Sequence, residues 1–163
     1  MLTETLQAVV VRECDDADQG AQVSGVGVDI KFLTVGAQSG GQIMSMKYTA
    51  PARFAGPPPH YHRITTEIFH VLEGTLTLRV GDQTVHLDPG GYAYVPPGVV
   101  HGFSNTTDSP TVYFCLATPA GLEHYFAELA ELVRNDPQWP PRDMRKLLAL
   151  MSRYDTYPPP QAA

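Results

Sequence analysis

The sequence predicts an all-β domain of antiparallel strands, a barrel or sandwich, followed by one or two short helices. Turn signals recur at short intervals: GAQSGG at 36–41, PARFAGPPP at 51–59, VGDQ at 80–83, DPGG at 88–91, PPG at 96–98 and NTTDSP at 105–110. Between them lie short runs rich in Val, Ile, Thr, Tyr and Phe, residue types that suit a pleated, half-buried surface. After Pro119 the apolar spacing changes to that of a helix. A chain of 163 residues with 43% hydrophobic composition is long enough for one domain with a real core.

Taken in order, QAVVV at 7–11 is strongly β-prone and is expected to add to a sheet edge, its own or that of a second copy in a homodimer. In TLTLRVGDQTVHLDPG, Leu76, Leu78 and Val80 alternate with Thr75, Thr77 and Arg79. Gly81-Asp82 makes the hairpin turn, and Val85 and Leu87 continue the apolar face. GLEHYFAELAELVRN has apolar residues at 122, 125, 126, 129, 132 and 133, which is helical spacing broken by Pro137 and Pro140-Pro141. PRDMRKLLALMSRY reads as a second short helix with Pro141 in its first turn. The expected organisation is a β-domain over 1–120, a helical appendix over 121–153 and a loose tail over 154–163.

Composition narrows the function classes. A formal charge of -6 gives no reason to expect a nucleic-acid partner. The chain lacks the run of about 18 apolar residues that crosses a membrane. MLTETLQAVVVRECDD has no cationic start, so a cytoplasmic location is expected. Cys14 and Cys115 are far apart in sequence and are expected to be free thiols.

GPPPHYHRITTEIFHVLEG, residues 56–74, concentrates the chemistry. His60 and His62 are two apart in extended chain, so they share a face roughly 6 to 7 Å apart at Cα. Two imidazoles so placed can converge on one ion, with bonds of about 2.0–2.1 Å. A bend over 63–66 brings Glu67 back to the same ion, and Glu67, Phe69 and Val71 share one strand face. A further ligand is usual. His70 and His86 read as outward by parity, and His124 lies on the polar side of the helix. His101 differs: it follows a Pro-Pro-Gly turn and precedes apolar Phe103.

These residues resemble the cupin superfamily. Gly56, His60, His62, Glu67 and Gly74 match the first cupin motif, with three residues between glycine and histidine where the pattern more often has five. Gly90, Pro96, Gly98, His101 and Asn105 match the second in full. The likeness covers roughly residues 25–118. It implies a small antiparallel β-barrel or jelly roll with one divalent transition-metal ion held by His60, His62, Glu67 and His101, in a fold that is often dimeric. Such a mixed donor set suits Fe, Mn, Co, Ni, Cu or Zn. Asn105 is expected to satisfy backbone groups at a turn.

The GPPPHxH opening is similar to bacterial quercetinase-like cupins, flavonol dioxygenases in which the glutamate is both ligand and base. The resemblance therefore implies a small-molecule oxygenase with Glu67 catalytic. A metal-dependent isomerase, cyclase or lyase, or a non-catalytic binder, stays open at this point. Tyr48, Phe69, Phe103 and Phe114 are expected to wall an apolar cavity for an aromatic ligand.

Overall fold

The computed structural model describes residues 19–23, 27–135 and 142–160. The run at 7–11, Cys14, and Pro137, Pro140 and Pro141 lie outside the described residues. Nine strands and three helices follow in order: β1 Gln19–Val23, β2 Val28–Thr34, α1 Gly36–Ser39, β3 Met44–Ala50, β4 Thr66–Glu73, β5 Leu76–Val80, β6 Gln83–Leu87, β7 Tyr92–Val95, β8 His101–Ser104, β9 Thr111–Thr118, α2 Leu122–Asn135 and α3 Met144–Arg153.

The strands form two antiparallel sheets and do not close into one continuous barrel. One sheet has the order β1-β2-β3-β9-β4-β7, the other β6-β5-β8. The expected hairpin is β5–β6, with Leu78 opposite Val85 and a two-residue turn between Val80 and Gln83. Gly81 opens that turn at φ 58, a left-handed conformation that glycine adopts without a Cβ penalty.

Strand parity sorts the side chains as the period of two requires. On β4, Glu67, Phe69 and Val71 face the interior. Their β9 partners are Ala117, Cys115 and Tyr113, all fully buried. Met46 and Tyr48 on β3 pair with the same Cys115 and Tyr113, so one apolar inner surface crosses three strands. Burying such side chains contributes about 1.5–3 kcal/mol each, which makes this layer the main source of stability.

The turns carry the polar work. Asn105 lies fully buried and acts as a backbone substitute. Its Nδ2 donates to the carbonyls of Pro51 (2.9 Å) and Ser109 (2.7 Å), and its Oδ1 accepts from the Thr107 amide at 3.0 Å. Buried Glu123 ties α1 to α2, accepting from the amides of Gly36 (2.7 Å) and Gly121 (2.8 Å). α3 begins at Met144, three residues beyond Pro141. Asp143 caps it, its carboxylate accepting from the Arg145 amide at 3.1 Å, as short acidic side chains do at helix starts. The end of the chain is held as well: Tyr157 forms a backbone bridge with Tyr61.

Gly56 sits at φ 77 where the proline-rich turn crosses β8, and an added Cβ would collide with the Phe103 carbonyl. Gly56→Ala therefore meets both a backbone penalty of about 1–3 kcal/mol and a contact with backbone that cannot yield. We expect urea unfolding to show a loss of more than about 1 kcal/mol. A variant as stable as the unaltered chain would contradict the packing described for this turn.

Candidate metal centre

The two sequence motifs meet at one pair of residues. His60 and His101 form an isolated antiparallel bridge, His60 N–H donating to His101 O at 2.9 Å and His101 N–H to His60 O at 2.8 Å. The Gly98 amide donates to the His62 carbonyl at 2.7 Å, which seats the Pro-Pro-Gly turn against the first motif. Glu67 is the second residue of β4 and His101 the first of β8, so the site draws on both sheets.

His60, His62, Glu67 and His101 are all buried, and each offers a ligand atom within 4.8 Å of the others. The three imidazole centroids lie 4.5 to 5.3 Å apart. Every ring has its Nδ1 against a backbone carbonyl: His60 to Pro58 at 2.9 Å, His62 to Asp155 at 2.8 Å, His101 to Val99 at 2.9 Å. A carbonyl can only accept, so each Nδ1 carries a proton and each Nε2 is the nitrogen left for the centre. His101 Nε2 lies 2.7 Å, and His62 Nε2 3.2 Å, from Glu67 Oε2. The second carboxylate oxygen, Oε1, accepts from the Cys115 thiol at 3.8 Å.

Electrostatics follow from burial and these contacts. Burial, and then the charge of His101, lowers His60 to about 4, so it stays neutral and ready to bind. Burial also pulls His62 down, but its hydrogen bond to Glu67 and that carboxylate's charge outweigh it and leave His62 raised. Burial alone would raise Glu67; hydrogen bonds from His101 and His62 instead hold it well below the ordinary carboxylate range. Burial raises the Cys115 thiol well above its ordinary value, with Glu67 adding to the effect.

This arrangement fits a divalent transition metal. Three imidazole Nε2 atoms and one carboxylate converge, and each imidazole is oriented by a second hydrogen bond, as in protein metal sites generally. A buried carboxylate facing imidazoles also has its charge compensated best by a cation.

A cavity opens directly onto this cluster. His60, His62 and Glu67 line it together with Tyr48, Phe54, Phe103 and the prolines of the first motif. Its opposite wall is helical: Leu122, Tyr125, Phe126 and Leu129 from α2, Leu147 and Met151 from α3, and Thr156 beyond. The apolar stripe legible in the sequence of α2 is thus the roof of the cavity. Tyr48 and Phe103 stand where the sequence places them, their rings edge-on at 5.5 Å. Phe69 lies just beneath, buried 6.5 Å from His101 and outside the cavity surface. Phe114 does not join them. It pairs with Lys47 and His70 on the outer face, and its neighbour Tyr113 takes the inward place, stacked on Tyr48 at 4.9 Å. The residues the sequence reading misses are the roof side chains and Asp155.

The cupin domain family matches residues 48–117. Over that stretch the chain resembles the cupins. The chain is 34% identical over 82 residues to "Oxidoreductase OpS7" of Beauveria bassiana, a stretch covering 47% of this chain and 27% of that protein. It is 41% identical over 44 residues to "Quercetin 2,3-dioxygenase" of Bacillus subtilis, covering 27% and 13%. The chain thus spans about a quarter or less of the length of these curated relatives. Among solved structures, an RmlC-like cupin from Shewanella frigidimarina superposes with a TM-score of 0.58 at 20% identity, over 71% of this chain and 96% of that one, which shows the shared fold. The chain resembles quercetinase-like cupins in its motifs.

The charge state of His62 sets a pH dependence. Its folded value lies above the ordinary 6.5, and metal binding requires the neutral ring. Protonation therefore competes with the metal from above pH 6.5 downward, whereas His60 offers no competition until about 4. We expect Zn²⁺ affinity to weaken as the pH falls from above 6.5 to about 5. Affinity unchanged across that range would contradict the assignment of His62.

Proposed function

We propose that this chain is a metal-dependent oxygenase acting on an enolic or phenolic aromatic molecule, of the flavonol kind, with dioxygen. The observation that carries the reading is the junction of an aromatic-walled cavity with the His60, His62 and Glu67 cluster. The relatives named as an oxidoreductase and as quercetin 2,3-dioxygenase support it at the level of reaction class.

The chain's own groups suit such a substrate. Tyr48, Phe103, Tyr125 and Phe126 offer flat apolar surface on which an aromatic ring can lie. Burial raises the phenols of Tyr48 and Tyr125 above their ordinary value, so both remain protonated and able to donate to a substrate oxygen. A bound divalent ion would supply Lewis acidity toward a substrate hydroxyl and, where redox-active, a route for electrons to dioxygen. His60, His62, Glu67 and His101 would hold it.

Glu67 would also receive the substrate's proton. A carboxylate held below its ordinary range is ionised at neutral pH and so has a free acceptor for that proton. Enols and phenols give up a proton more readily than aliphatic alcohols do. The roof of α2 and α3 gives the cavity a largely apolar wall opposite the cluster.

The test is oxygen uptake by metal-loaded protein, prepared separately with Fe²⁺, Mn²⁺, Co²⁺, Ni²⁺, Cu²⁺ and Zn²⁺, with quercetin as substrate. Uptake in step with loss of quercetin is expected, and substrate turnover without oxygen consumption would reject the oxygenase reading. In Glu67→Gln, with metal restored by excess ion, turnover should fall about 10²–10⁴-fold, the usual contribution of a general base. A near-normal rate in that variant would remove Glu67 from the role of base.

A further inference from the structure

α3 ends at Arg153, and the chain then turns back beside the loop that joins His62 to Glu67. Asp155 makes that turn at φ 53, a left-handed conformation that aspartate tolerates better than most residues. Both of its functional groups then face the loop. Oδ1 accepts from the Arg63 amide at 3.0 Å; Oδ2 accepts from the amides of Ile64 at 2.9 Å and Thr65 at 2.8 Å, and from Thr65 Oγ1 at 2.9 Å. Its backbone carbonyl accepts from His62 Nδ1 at 2.8 Å. On one side, Tyr157 exchanges two backbone hydrogen bonds of 2.9 Å with Tyr61. On the other, the Thr156 amide donates to Met151, a residue of the cavity roof, at 3.0 Å.

We propose that Asp155 is a positioning residue: it fixes the loop and the orientation of His62, and so couples metal loading to closure of the α3 roof. The proposal rests on the metal-centre reading above. Three consecutive amides and a hydroxyl on one carboxylate leave the loop little freedom, so the ordering of 63–65 precedes metal binding. The Asp155 carbonyl sets which nitrogen of His62 faces the centre. Coupling of this kind is reciprocal: if the docked tail favours the ion, the ion favours the docked tail by the same factor.

Co²⁺ is the probe, because its visible absorption reports ligand geometry as well as occupancy. Asp155→Asn keeps the size and the tolerance of the left-handed turn but loses the charged acceptor. Titration against a competing chelator should show Co²⁺ affinity about 10–100-fold weaker in Asp155→Asn, the usual cost of removing a group that orients a metal ligand. Its bound-Co²⁺ spectrum should differ from that of the unaltered chain. In the unaltered chain, Co²⁺ should slow amide exchange at Tyr61, Thr65, Tyr157 and along α3, with the β5–β6 hairpin unaffected; this arm decides the matter if the variant does not fold. A variant with lowered melting temperature but unchanged Co²⁺ affinity and spectrum would overturn the proposal and leave the metal centre standing. Exchange at 154–157 indifferent to Co²⁺ would overturn it equally. Failure of the unaltered chain to bind Co²⁺ would overturn both readings.

Discussion

Two backbone hydrogen bonds between His60 and His101 hold the site together, and the remaining geometry depends on them. They bring a loop that precedes β4 against the first residue of β8, and so join the six-stranded sheet to the three-stranded one. Without that bridge, His60 and His101 would not meet beside Glu67. With it, three rings are close enough to share one centre, and the backbone carbonyls behind them decide which nitrogen each presents. The strand ladder positions Glu67 independently, through its pairing with Ala117 and Val95. Two rigid arrangements, one of loops and one of strands, thus meet at a single carboxylate oxygen.

Chemistry and architecture constrain each other here. A buried glutamate is costly unless it is paired, and in this fold its partners are His62 and His101. The same pairing lowers Glu67 and raises His62, so the carboxylate is held ionised beside the imidazoles. The helical roof then sets what can approach. Leu122, Tyr125, Phe126, Leu129, Leu147 and Met151 present rings and aliphatic chains, not the cations that a sugar phosphate would require.

Much of the site was legible in the sequence because it depends on local spacing. The alternation that puts Glu67, Phe69 and Val71 on one face needs only a period of two, and the HxH pair needs only an extended chain. The α2 stripe was equally clear. What periodicity does not specify is the surface a stripe packs against, so the roof could not be placed. Phe114 was misassigned for a related reason: Tyr113 and Phe114 are adjacent aromatics in a strand apolar on both faces, and only pairing with β3 and β4 selects Tyr113 as inward. Asp155 carried no signal, since a single acid near a proline-rich end resembles a solvated tail. Its contacts span ninety or more residues of sequence, which no local pattern encodes. Closure of the sheets into a barrel, expected from the motifs, depends likewise on long-range pairing.

The central claim is that His60, His62, Glu67 and His101 together bind one metal ion. X-ray absorption on the Zn²⁺-loaded chain tests it most directly, because it counts and types the atoms around the ion. The account predicts imidazole scattering from three histidines and one carboxylate oxygen, at about 2.0–2.2 Å. A coordination sphere without three imidazoles, or one containing sulfur from Cys115, would contradict it.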